Sequence, residues 1–190
     1  MSQQGEIGVM ILAPMLTICL VFMSFVLKIL YSDEFIAANE YISWACLGMM
    51  LRLASWVISF LFVAKAESKL FMINELSANL YYLVFSLIGY KTLGLTGLGI
   101  AFALEYLVYF IQCYLIARNR YNFSFSNSFI KCYGIQLLLI IACLIIVLTL
   151  SGWTKYVIGS VVIAISCYLG LKGLNEKMEL LSFVRQKIKK

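Results

Sequence analysis

The sequence contains no histidine. That absence excludes histidine-based acid–base catalysis and the common histidine-containing zinc sites, and no metal site is expected. Charge is scarce as well. Asp, Glu, Lys and Arg make up 13% of the 190 residues, where a soluble domain carries about a quarter. Too little polar surface exists to cover a soluble core of this size. Proline occurs once, as Pro14, where a helix kink is expected. No Cys-x-x-Cys pair is present. Cys19, Cys46, Cys113, Cys143 and Cys167 lie inside apolar runs and Cys132 at the edge of one, so they read as small apolar side chains rather than a disulfide framework. The stretch Gly94-Leu-Thr-Gly-Leu-Gly99 lacks the Lys-Ser/Thr ending of a phosphate loop and follows no strand. It reads as helix entry and tight packing. No nucleotide or other cofactor is expected. No acid–base pair or nucleophile–base arrangement is evident, so an enzyme is the least favoured class.

What is abundant is hydrocarbon. Hydrophobic residues make up 63% of the chain and mean hydropathy is +0.96. The apolar runs reach about 20 residues, the length a helix needs to cross roughly 30 Å of lipid. They predict an all-α, polytopic membrane protein: a six-transmembrane-helix bundle in a single membrane domain spanning residues 1–190, with no soluble domain. The helices are expected at Gly8–Tyr31, Tyr41–Ala64, Leu70–Tyr90, Leu93–Ala117, Phe129–Leu150 and Trp153–Leu174. The opening MSQQGEIG has no basic segment, so the first helix does not read as a cleaved signal peptide.

The formal charge of +6 points to topology rather than to nucleic acid. On one side of the expected bundle lie Lys65, Lys69, Arg118, Arg120, Lys131, Lys172, Lys177, Arg185, Lys187, Lys189 and Lys190. The other side has only Lys28, Lys91 and Lys155. Positive residues favour the cytoplasm, so both termini are expected there. The tail, 175–190, is basic. Leu174, Met178, Leu181, Val184 and Ile188 follow helical spacing within it, which suits either a short helix on an anionic leaflet or a solvated tail. The run Tyr121-Asn-Phe-Ser-Phe-Ser126 beside Arg118 and Arg120 reads as an aromatic belt at the membrane boundary.

The buried polar residues carry the functional information. Arg52 and Glu105 fall near the middle of their helices, where each charge costs about 2.5–3.5 kcal/mol unless it pairs or meets water. Gly48, Arg52, Ser55 and Ser59 form one stripe, Glu75, Asn79, Tyr82 and Ser86 a second, and Gly97, Ala101 and Glu105 a third. The first helix adds a weaker stripe of Pro14, Thr17, Ser24 and Lys28. Depth matches Arg52 with Glu105; Glu75 lies about 5 residues, or roughly 8 Å, inside its helix. Packing alone would explain one such stripe. Three adjacent ones predict a polar cavity among the first four helices, with the last two outside it.

These residues resemble a known family. Leu30-Tyr-Ser-Asp-Glu-Phe35, Gly48-Met-Met-Leu-Arg-Leu-Ala-Ser-Trp56, the Ala64-Lys65 turn, Asn74-Glu75 and the run Gly94–Tyr109 are similar to the C-terminal half of bacterial polysaccharide (O-antigen type) flippases. Those belong to the multidrug/oligosaccharidyl-lipid/polysaccharide exporter (MOP) superfamily, and the resemblance covers nearly the whole chain. Relatives often carry an acid after the first of these glycines; here it is Met49, which removes a local charge partner for Arg52. The resemblance implies export of an undecaprenyl-diphosphate-linked oligosaccharide across the bacterial inner membrane for polysaccharide or lipopolysaccharide biosynthesis. It also implies two six-helix lobes around a cavity, of which this chain is the second, with the N-terminal lobe absent from this sequence. Expected partners are then the lipid-linked oligosaccharide diphosphate and membrane lipid, and no nucleic acid. Arg52 would hold the diphosphate, Trp56, Asn79 and Tyr82 would contact sugars, and Glu75 and Glu105 would couple movement to an ion. Alternatives are a multidrug or peptidoglycan-precursor exporter of the same superfamily, separable by substrate-dependent rescue. A non-transporting subunit of a polysaccharide-synthesis complex is a further alternative, separable by co-purification without transport.

Overall fold

A computed structural model of the chain describes residues 2–30, 37–150 and 152–188, with side chains for 3–29, 38–150 and 152–177. The segment Tyr31–Phe35 of the family-like stretch lies outside the described residues, as do the side chains of the basic tail from Met178 onwards. The described chain forms five helices: α1 (Ser2–Leu30), α2 (Ala37–Ala64), α3 (Ser68–Tyr121), α4 (Asn127–Thr149) and α5 (Trp153–Ile188). All five are long and apolar enough to cross a membrane. The protein is thus a polytopic helical bundle with five helices rather than the expected six.

The difference lies in α3. Its 54 residues would extend about 80 Å if straight, far more than a bilayer core. One residue, Gly94, leaves the helical region (φ 61°, ψ −134°), and the two arms fold back on each other. Gln112 Nε2 donates to Asn74 Oδ1 across the arms at 2.7 Å, and the Tyr82 and Phe102 rings meet edge to face at 6.3 Å. Nearest the turn, a Cβ on Gly97 would run into the Gly89 carbonyl. The expected loop at Lys91-Thr92 is instead helical, with Thr92 Oγ1 returned to the Ile88 carbonyl at 3.0 Å. A side chain at Gly94 would be strained at that φ, so the sequence concentrates the whole reversal in one glycine.

Polar contacts pin each end of the bundle. At the end holding both described termini, Arg120 pairs with Glu67 at 2.6 Å. Buried Glu6 of α1 pairs there with Lys177 of α5 and accepts from Ser126 Oγ at 3.1 Å. At the opposite end Thr96 donates to Glu40 at 2.7 Å, and Lys155 donates to Ser24 Oγ at 2.5 Å. α5 continues as helix to Ile188, so the start of the basic tail prolongs the last span instead of forming a separate short helix.

The packing overturns the expected helix order. Among the described residues α3 packs on α2 alone, while α4 and α5 pack on α1. One core joins α1, α2, α4 and α5 through Val9, Leu20, Met50, Ile140, Cys143 and Val162; the other joins α2 to α3 through Ile58, Phe62, Tyr109 and Cys113. The last two helices are therefore not appended outside a four-helix cavity. Gly159, Gly170 and Gly173 let the α5 backbone come close to Val21, Met10 and Pro14 of α1. α1 runs as one helix through Pro14. The Met10 carbonyl, which proline leaves without its usual donor, faces Gly170. The aromatic run before α4 is half-buried. Phe125 lies parallel to Tyr114 (6.0 Å, 2°) and to Phe129 (4.7 Å, 11°), so it staples α3 to α4.

Candidate functional site

The α2 stripe faces the C-terminal arm of α3. Gly48 admits Phe102 and Ala103 into close contact, and Ser55 and Ser59 are buried. Arg52 lies between them at the margin, half-buried, about 18 Å of helix from Ala64. Its Cζ is 5.7 Å from the centre of the Trp56 ring and 5.4 Å from that of Tyr106. Such cation–ring contacts contribute about 0.5–2 kcal/mol and leave the guanidinium N–H groups free to donate.

The expected Arg52–Glu105 ion pair is not formed. Among the described residues the only ion pairs within 4.0 Å are Arg120–Glu67 and Lys177–Glu6. Glu105 is 4% exposed and within electrostatic reach of both Arg52 and Glu75. The stripe it shares with Gly97 and Ala101 turns inwards, onto the other arm of the hairpin, because those small residues let the arms meet.

Glu75 has a different set of partners. Its Oε1 accepts from the Tyr109 hydroxyl at 2.5 Å, and that hydroxyl lies 2.9 Å from Ser59 Oγ, which is in turn 3.8 Å from Cys113 Sγ. A chain of exchangeable protons thus links the N-terminal arm of α3, its C-terminal arm and α2. Asn79 is exposed and returns its Nδ2 to the Glu75 carbonyl at 2.9 Å. Tyr82 is exposed and begins a ladder of rings, Tyr82, Phe102, Tyr106 and Tyr109, that ends beside Glu75. The fold therefore brings Arg52, Glu75, Tyr82 and Glu105 to the α2–α3 seam, whereas Trp56 lies on the α1 side of α2 and Asn79 bonds only within its own helix. Arg52, Trp56, Asn79 and Tyr82 are at least partly exposed, Glu75 is half-buried and Glu105 is enclosed.

Beside Arg52 the surface opens on the α1 side. A groove of about 470 Å³ runs between α1 and α2, walled by Gly8, Ile11 and Met15 on one side and Met49 and Trp56 on the other, with Arg52 as its one charged residue.

Comparison with known proteins gives a partial match. Over 99 residues, half of its length, the chain is 28% identical to the lipid III flippase of Escherichia coli (strain K12). The lipid III flippase of Shigella flexneri matches to the same extent. The matched stretch covers 24% of each relative, so the chain spans well under two thirds of their length. The similarity is to lipid III flippases and does not single out the O-antigen type. No family model matches, and no solved structure matches.

Several polar residues with clear partners escaped the sequence reading. Gln136 and Ser166 are both buried and bond reciprocally between α4 and α5, Ser166 Oγ to Gln136 Oε1 at 2.7 Å and Gln136 Nε2 to the Ser166 carbonyl at 3.3 Å. Glu6 drew no reading and Lys155 counted only towards orientation, yet both are buried. Tyr109 reads as one aromatic among many. Its i, i+4 spacing from Glu105 was the available signal.

Proposed function

We propose that this chain forms part of a transporter that carries a lipid-linked, diphosphate-bearing glycan precursor across the bacterial inner membrane. One observation carries the reading: a guanidinium near the middle of a membrane-length helix, without an acidic partner among the described residues, opens onto an apolar groove between α1 and α2. A charge in that position is costly unless an anion visits it, and arginine makes charge-assisted, often bidentate bonds to phosphate. The partial similarity to lipid III flippases supports the same reading.

In this proposal Arg52 holds the diphosphate. Trp56 and Tyr82 offer rings to the sugars and Asn79 an amide. Glu75 and Glu105 bind the coupling ion, Glu75 through the hydroxyl chain of Tyr109 and Ser59. A second lobe, outside this chain, faces Arg52 and completes the cavity, and both termini are cytoplasmic. The substrate is an O-antigen-type oligosaccharide lipid or a peptidoglycan precursor. Rescue of strains blocked in one or the other export step separates the two.

The test is complementation of an export-deficient strain by the protein that contains this chain. Arg52→Ala and Arg52→Lys are each expected to cut export by roughly tenfold or more, the equivalent of one charge-assisted bond. Full export by both variants, at equal protein levels, would remove Arg52 from the site.

A further inference from the structure

We infer that the groove between α1 and α2 seats the hydrocarbon chain of a lipid diphosphate whose charged end rests on Arg52. The inference builds on the role proposed for Arg52 and adds the place of the tail.

Three features carry it. First, the groove is apolar apart from Arg52, and the guanidinium lies against the Trp56 ring at its wall. An amphiphile with an anionic end and a hydrocarbon chain matches that pattern; a free sugar or a hydrated ion does not. Second, its size suits a chain. About 470 Å³ holds on the order of 15 water-sized groups, and a smaller hollow of about 130 Å³ extends it past Leu53 and Trp56 to Gln4 and Phe60. Gly5 and Gly8, one turn apart on α1, let Val57 and Leu53 of α2 pack close, and Gly8 lies in the groove wall. Third, depth selects the occupant. An ordinary phospholipid holds its headgroup at the membrane surface, whereas Arg52 lies about 18 Å down its helix. A lipid whose charged end has been drawn into the bundle reaches Arg52 and can lay its tail along α1.

Binding to the chain in nanodiscs of zwitterionic lipid tests this, with empty nanodiscs as the blank. The probes are radiolabelled farnesyl diphosphate, inorganic diphosphate and farnesol. Farnesyl diphosphate is expected to bind roughly tenfold or more tighter than inorganic diphosphate. Ile11 and Met15 are 49% and 61% exposed on the groove wall, so Ile11→Phe/Met15→Phe fills the groove without entering the core. That double variant is expected to lose the farnesyl advantage and to leave inorganic diphosphate binding unchanged, whereas Arg52→Ala weakens both diphosphates. Equal, Arg52-dependent binding of the two diphosphates would overturn the groove and spare Arg52. So would an unchanged farnesyl advantage in the filled variant, or full displacement of farnesyl diphosphate by added phospholipid. Loss of all Arg52 dependence would overturn both readings.

Discussion

The two sides of α2 treat buried polar groups differently. On the side of α1, α4 and α5, polar groups meet other polar groups: Gln136 with Ser166, Glu6 with Lys177 and Ser126, Lys155 with Ser24. On the side of α3, Glu75, Tyr109 and Ser59 form a chain, while Arg52 and Glu105 remain without a direct hydrogen-bonded or ion-paired partner among the described residues. Groups that satisfy each other lock helices in place, since hydrocarbon offers them nothing else. A charge that stays unsatisfied costs free energy in every state except the one in which a guest supplies the partner. The first side therefore reads as the frame, and the working face runs from the α3 side of α2 to the groove that Arg52 borders beside α1.

The largest expected effect tests whether the working face is a folded unit at all. Gly97→Leu places a side chain where the Gly89 carbonyl lies, so the α3 hairpin cannot close. Overpacking at a backbone contact is expected to cost about 3 kcal/mol, read as a lowered midpoint in denaturant unfolding in detergent. Gly134→Leu is the control, because nothing lies within 4 Å of a Cβ there, and it is expected to change stability by less than about 0.5 kcal/mol. Equal effects at the two positions would mean that the arms of α3 do not touch in the membrane.

The second test addresses the contrast itself. Gln136→Leu leaves the Ser166 hydroxyl without its acceptor and is expected to cost about 1 kcal/mol, most of it recovered in Gln136→Leu/Ser166→Ala. Export should survive in both. Arg52→Ala is expected to show the opposite pattern: stability within about 0.5 kcal/mol of the parent or slightly higher, with export lost. A large loss of stability for Arg52→Ala would place Arg52 in the frame and erase the distinction between the two sides.

How much of this was legible in the sequence follows from the solvent. Hydropathy locates spans well, and the stripes around Arg52, Glu75 and Glu105 were visible because polar residues stand out against hydrocarbon. Which helix packs on which was not visible. Lipid-facing and helix-facing positions are both apolar, so Leu20, buried in the core, and Phe25, 53% exposed, look alike in the sequence. A break between Tyr90 and Leu93 was legible, but not its form: the chain stays helical through Lys91-Thr92 and reverses at Gly94 alone, which leaves no polar loop. The burial of Glu6 and Lys155 was not visible, because charges near helix ends can reach either water or one another, and only the neighbours decide which. The Gln136–Ser166 clamp needed the register of α4 against α5, which the apolar pattern of the two helices does not name.

The smallest expected effect concerns the seam between the two sides. α2 turns into α3 through Ala66, which is held at φ 57°. Glu67 N–H donates to the Phe62 carbonyl and Ala66 N–H to the Val63 carbonyl, both at 3.0 Å, so the last carbonyls of α2 are satisfied by a tight left-handed cap. Glycine is the usual residue at such a position, because a Cβ there costs about 1–2 kcal/mol. Ala66→Gly removes that clash but loosens the unfolded chain, which returns part of the gain. The net expectation is a rise in stability of about 0.5 kcal/mol by denaturant unfolding, with export unchanged, since the turn is about 18 Å of helix away from Arg52. Lower stability in this variant would mean that alanine serves the seam better than glycine, through stiffness between frame and working face. In that case Ala66→Gly should also weaken export at constant protein level, because a looser seam would let the α3 hairpin drift from the Arg52 face of α2.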